Sequence, residues 1–317
     1  MSNENFTVDR ALEAGGFAKN EKEIRMVAVG DVMLSRGVEK TMIANKNYKY
    51  PFIATSEFTR GADIVFGNLE TSIIKGRTIK DLEMVFKTDP KSVKGLKFGG
   101  FNVLSIANNH IMNFGLKGLS STIDNLDEND ILHIGAGLDE EDIFKPAFKE
   151  IKGTKFAFLG FTYNRDIRKD PEGGVYGVAD MDMEKMQSAV TKARSEADVV
   201  IVSMHAGTEY KTSSGSFQQN FAHGAIDAGA DVVIGHHPHV VQNSEIYKGK
   251  YIFYSLGNFV FDQMWSKETR LGSMLEIIFE GSEIKNVRFV PVKIFDYSQP
   301  KVVGGKDGKA ILDRLKL

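Results

Sequence analysis

No cysteine occurs among the 317 residues, so disulfide scaffolds, thiolate zinc sites and cysteine nucleophiles are excluded. Metal ligands must then come from His, Asp, Glu and Asn. Nor is there an excess of charge of one sign: the formal net charge is -2 and the sequence pI is about 6.4. With no long run of Lys or Arg, nothing in the chain attracts nucleic acid or anionic lipid in general. No apolar run approaches the roughly 18 residues that a membrane span needs. Residues 1–23 lack the basic start, apolar middle and small-residue cleavage site of a signal peptide, and read as an N-terminal tail or a mature N-terminus. Internal repeats, low-complexity tracts and obvious linkers are also missing. With 42% hydrophobic residues, the expectation is one large domain over 24–300, followed by a C-terminal extension over 301–317.

What is present is a recurring pattern, a short Val- and Ile-rich run that ends in a polar cluster. It occurs as IRMVAVGD (24–31), ADIVFGNLE (62–70), FNVLSIANNH (101–110), DVVIVSMHAG (198–207) and DVVIGHHPH (231–239). KYIFYSLGNF (250–259) ends the same way. Runs of this kind suit strands buried on both faces. Helical patterns fall between them at 90–100, 115–129, 182–195 and 216–228. In 115–129, Leu116, Leu119, Ile123 and Leu126 form one apolar face, and Pro90 and Asp182 stand where helix starts use them. The alternation implies an α/β fold with a largely parallel sheet. Two hairpins are predicted in the C-terminal third, turning at Lys248-Gly249 and Gly281-Ser282, and with them a second, more antiparallel sheet packed on the first. The 22 Phe residues read as core.

Ligands of open α/β sheets sit beyond the carboxyl ends of the strands. Here those positions hold Asp31, Asn68, Glu70, Asn108, Asn109, His110, His205, His236, His237 and His239, including five of the seven histidines. Carboxylate, amide oxygen and neutral imidazole together suit manganese, iron or zinc. Asp31 or Glu70 could bridge two cations at the roughly 3.5 to 4 Å separation of two-metal hydrolysis, with Glu70 the preferred bridge. A histidine beside the metals could protonate a leaving group. Arg36 and Lys87 could meet an anionic substrate or form surface salt bridges. Residues 164–177 and 208–216 could be lids or passive loops.

The motifs GDVML, GNLET, ANNH, the H-x-G-x-E of His205 to Glu209, GHHPHVVQ and YSLGNFVFD resemble, as an ordered series from about 25 to 295, the bacterial capsule synthesis protein CapA family, also called the poly-γ-glutamate biosynthesis protein family. That family is in turn similar to calcineurin-like metallophosphoesterases. The resemblance implies a four-layer α/β/β/α sandwich, with a mixed first sheet and a more antiparallel second one. It implies His110 as general acid, and Asp31, Glu70, Asn109, His205, His237 and His239 as ligands of two divalent metal ions (manganese, iron or zinc). Asn68 would be a neighbouring polar contact. From the residues themselves, His236 reads as a loop or supporting residue, Glu209 as an orienting partner of His205 or a solvated side chain, and Asn258 as part of a strand-ending Gly-Asn turn that could present its side chain to the site.

Two departures stand out. Met33 occupies the position of a phosphoesterase histidine, which would weaken or empty one metal site, and Glu70 replaces a bridging Asp. The implied activity is therefore either metal-dependent hydrolysis in poly-γ-glutamate or capsule metabolism, or non-catalytic binding of polymer or partner proteins in capsule synthesis and export. An anionic substrate or polymer such as polyglutamate, other capsule-synthesis proteins and an extracytoplasmic or membrane-associated location follow from the same resemblance.

Overall fold

A computed structural model describes residues 21–317. The tail expected over 1–23 lies outside the described residues as far as residue 20, and a strand has begun by Glu23. Six strands position the site: β1 (Glu23–Val32), β2 (Ile64–Leu69), β3 (Val103–Ser105), β4 (Val199–His205), β5 (Val232–His236) and β6 (Asn258–Val260). In the first, eight-stranded sheet, β1, β2 and β3 run parallel, with β6 parallel to the end of β1. The other edge of β1 takes the antiparallel hairpin of Leu271–Glu280 and Glu283–Phe295. In the second, six-stranded sheet, Lys250–Phe253, β5, β4 and Thr154–Thr162 are parallel, with one antiparallel strand at each edge.

The fold is thus mixed α/β with both pairing directions in each sheet. Two details differ from the sequence expectation. The C-terminal hairpins do not share a sheet: Ser244–Tyr247 with Lys250–Phe253 extends the second, and the longer hairpin extends the first. The run 250–259 is also split, because Lys250–Phe253 pairs with β5 while Asn258–Val260 pairs with β1. Gly257, at φ +71°, lets the chain cross from one sheet to the other. Alternation within each short run cannot reveal such a change of partner.

Period-two alternation divides the core. Ile24, Met26 and Ala28 of β1 pack in one cluster with Phe156, Phe158, Ile201 and Ile234 of the second sheet. Val27 and Val29 point the other way, toward helices α1 (Arg36–Ala44) and α2 (Gly115–Asp127). Behind the second sheet, Val200, Val202 and Val233 meet α3 (Met183–Glu196) and α4 (Ser216–Asp227). Each sheet therefore has one face against the other sheet and one against helices. The predicted helix starts are present: Asp182 accepts a hydrogen bond from the Lys185 amide (3.0 Å), and Pro90 opens a short 3-10 turn before Val93–Phe98. Both predicted turns also form, with Lys248, Gly249 and Gly281 at positive φ. Residues 164–177 hold the short strand Ile167–Lys169 and most of its antiparallel partner, Val175–Val178. No helix among the described residues is long and apolar enough to cross a membrane.

Candidate metal centre

The parallel strands of both sheets end on the same side of the molecule, and their polar tips meet there. Asp31 lies opposite Asn68 across β1 and β2, while His205 lies opposite His236 across β4 and β5. A bulge in β1 between Ala28 and Asp31 re-aims the carboxylate. It depends on glycine: a Cβ on Gly30 would stand 1.8 Å from the Gly257 carbonyl oxygen. Gly235, just before the histidines, is equally constrained, 2.0 Å from the Tyr254 oxygen. His237 and His239 have positive φ, at 94° and 58°, so the histidine segment is held in backbone conformations that ordinary residues seldom adopt.

Asp31, Glu70, His205, His236, His237 and His239 are all buried. The Asn68 side-chain amide donates to Asp31 Oδ1 (2.8 Å) and Glu70 Oε2 (3.3 Å), and lies 3.2 Å from His205 Nδ1. His205 Nε2 is 2.9 Å from the half-buried Asn109 Oδ1. Asp31 also faces His236 Nδ1 (3.5 Å) and His239 Nδ1 (3.3 Å), and Glu70 Oε1 is 3.9 Å from both His110 Nε2 and His239 Nε2. Two groups bring ligand atoms within 4.8 Å of one another: Asp31 with Glu70 and His205, and exposed Glu209 with His237 and His239. Glu70 Oε1 and His237 Nδ1 are buried without a hydrogen-bond partner. Buried polar atoms are rarely left so, and a cation in each group would supply the missing partner.

The electrostatics of this metal-free arrangement diverge. Burial raises the Asp31 carboxyl, but hydrogen bonds and charge from His236 and His239 outweigh it and hold the group well below the usual carboxylate range. Burial lifts Glu70 well above that range, helped by Asp31 and Glu209. Burial pushes His237 down to about 3 and His110 down to about 4, and takes His205 well below an ordinary imidazole. His239 is the exception: burial would lower it, yet Glu70 and Asp31 raise it to about 9. Closely placed groups with opposed shifts are a frequent mark of functional sites.

His110 is held by groups that the sequence did not single out. Asn113 Oδ1 accepts the Phe86 amide (2.8 Å), which fixes its orientation, and lies 3.0 Å from His110 Nδ1. The Nδ1 proton is therefore donated to Asn113, leaving Nε2 toward Glu70. Phe86 stacks on His110 with centroids 3.9 Å apart, and the Arg36 guanidinium lies 4.5 Å from the centre of the Phe86 ring. Asn108 ties the second and third strand ends by donating to Asn68 Oδ1 and the Leu69 carbonyl. Asn258 accepts from His239 Nδ1 at 3.0 Å, and donates to Gln263 and Thr269. Met33 sits fully buried in the helix-side core, with its sulfur accepting from the Ser35 amide. Arg36 and Lys87 are held in buried ion pairs, with Asp262 (2.5 Å) and Glu39 (3.7 Å). Such partners come from distant loops, and spacing along the chain carries no sign of them.

Residues 25–263 match the model of the bacterial capsule synthesis protein PGA_cap family. The chain belongs to that family. A capsule biosynthesis protein CapA of Bacillus anthracis is 32% identical over 305 residues, covering 94% of this chain and 74% of that protein. A PGA biosynthesis protein CapA of Bacillus subtilis (strain 168) is 34% identical over 271 residues, 84% and 71% of the two chains. Among solved structures, a hypothetical protein from Thermus thermophilus aligns over 85% of this chain and 99% of its own, with a TM-score of 0.54 at 16% identity, a likeness of α/β fold. The polar strand ends gathered above all fall inside the segment that matches the capsule synthesis family.

Proposed function

We propose that this capsule synthesis family protein is a metal-dependent hydrolase whose centre takes two divalent cations, manganese, iron or zinc. The observation that carries this reading is the convergence of Asp31, Glu70 and His205 with His237, His239 and Glu209, where Glu70 Oε1 and His237 Nδ1 lack other partners. Asp31, Glu70 and His205, with the Asn109 oxygen beside them, suit one ion. His237, His239 and Glu209 suit the other, so a carboxylate from the H-x-G-x-E motif replaces the imidazole that Met33 does not provide. Bound cations supply Lewis-acid polarisation and activation of water. The chain's own part is to hold the donors in place, keep His205 and His237 neutral and move a proton at His110 Nε2. Because His110 is neutral near pH 7, its Nε2 would take the proton that the attacking water releases and pass it to the leaving group. The substrate would be an anionic ester or polymer of capsule or poly-γ-glutamate metabolism, handled together with other capsule-synthesis proteins.

Metal analysis after native purification, paired with manganese-dependent turnover of an aryl phosphate, tests the proposal. Two equivalents of metal and turnover that His110→Ala lowers about a hundredfold or more are expected. Stoichiometric metal without turnover above His110→Ala would leave the second reading, a polymer-binding component of capsule synthesis. Burial of Met33 in the core is the observation that favours it. Absence of bound metal would end the hydrolase reading.

A further inference from the structure

Beside the centre runs a groove of about 550 Å³ whose lining includes Arg36, Lys40, Met84, Tyr210, Asp262 and Trp265. Its size is within the roughly 300 to 1,000 Å³ of small-molecule sites. Large apolar side chains gather here: of thirteen exposed among the described residues, Leu82, Met84, Tyr210, Trp265 and Tyr297 all line this groove. Isolated exposed apolar residues need no explanation, but five around one concavity do. Trp265 is 63% exposed and meets Tyr210 edge to face at 4.8 Å. Hydrogen bonds link this pair to the metal centre: Gln263 donates to the Tyr210 hydroxyl (3.5 Å) and accepts from Asn258, which accepts from His239.

The polar edge of the groove narrows the choice of ligand. Arg36 is paired with Asp262 and Lys40 with Asp81 (2.6 Å), so the cations that line it are already neutralised by acids that line it too. A polyanion would find no uncompensated positive charge here. A wholly apolar ligand would bury the exposed Lys40–Asp81 pair without returning hydrogen bonds. An exposed indole beside an exposed, charge-paired hydrogen-bonding edge instead matches a neutral ring with one apolar face and a hydroxyl-bearing edge. We propose that the groove binds a sugar ring, stacked on Trp265 and hydrogen-bonded by Lys40 and Asp81. That the ring belongs to the substrate of the metal centre rests on the hydrolase reading; the binding itself does not.

Trp265 is the only tryptophan in the chain, so its fluorescence reports on the groove alone. Metal-stripped and metal-loaded protein are titrated with tetrasaccharides of glucose, galactose and N-acetylglucosamine, and with a γ-linked glutamate tetramer. A saturable change in emission with at least one sugar, in both forms of the protein, and none with the glutamate tetramer is expected. Calorimetry with that sugar should find binding weakened about fivefold or more by Trp265→Ala, whose exposed side chain the fold does not need. Silence toward all three sugars, or a glutamate tetramer that binds as tightly as the best sugar, overturns the proposal. Failure of the hydrolase reading is seen separately in metal content and turnover, and leaves the titration intact.

Discussion

The first sheet brings oxygen to the centre, with His110 as its one imidazole, and the second brings nitrogen, with Glu209 as its one carboxylate. Asp31, Asn68, Glu70 and Asn109 lie at or just beyond the ends of β1, β2 and β3, whereas His205, His236, His237 and His239 lie at or just beyond the ends of β4 and β5. Each half is poor alone. The carboxylates of the first sheet would repel each other, and the buried imidazoles of the second lose solvation. Packed together, His236 and His239 hold Asp31 ionised and the carboxylates hold a proton on His239. The centre therefore belongs to the interface between sheets, and hydrogen bonds that join its two halves link residues 96, 137 and 206 positions apart.

The largest effect should come from pushing either half out of place. Gly30→Ala disturbs the oxygen side and Gly235→Ala the nitrogen side, each by driving a methyl group into a backbone carbonyl. Either should cost about 3 kcal/mol or more in urea unfolding. A change below about 1 kcal/mol in one of them would mean that its sheet is free to shift and does not fix the site.

Acid should separate the two halves next. His110, His205 and His237 are held below the ordinary imidazole value of 6.5, so in each case the unfolded chain takes up a proton first. Their contribution to the stability of the metal-free protein should therefore be full above about pH 6.5 and fall as pH drops toward about 4, by roughly 1 kcal/mol per pH unit for each imidazole. Glu70, raised by burial, opposes that fall, and His239, raised to about 9, loses its own contribution as pH climbs above about 6.5. Asp31 adds to the loss below its ordinary 3.8. Urea midpoints measured across this range should flatten in His237→Asn. An unchanged slope would remove that imidazole from the account.

The smallest effect concerns the exception among the histidines. His239 carries a proton up to about pH 9 in the metal-free site, and a metal must displace it. Apparent metal affinity should rise about tenfold per pH unit from about pH 6 to about pH 8, with proton release visible by calorimetry in buffers of different ionisation enthalpy. A flat profile would show that no metal displaces that proton.

Much of this was legible in the sequence because strand ends are local features. Asp31, Glu70, His205 and the 236–239 cluster each close a short apolar run, and the α/β alternation follows from the same runs. The order of the motifs then pointed to the capsule synthesis family. What stayed hidden depends on partners far away in the chain. Nothing in KYIFYSLGNF marks the point at which the chain leaves one sheet for the other. Arg36 offers no sign that Asp262, 226 residues later, neutralises it. Asn113 and Phe86, which set the proton position on His110, sit in loops without periodicity. Glu209 read as either a partner of His205 or a solvated side chain; it is exposed, and its carboxylate lies with His237 and His239.

Pro238 separates two histidines that both hold left-handed backbone angles. The strain of those angles is met once, when the chain folds, and the proline ring restricts what the same segment can explore when unfolded. A cation reaching His237 and His239 would not wait for their backbone to rearrange. Its rate of capture would then depend on how quickly the ion sheds its own water and the site its proton, so slowly dehydrating ions would be at a disadvantage before affinity is considered.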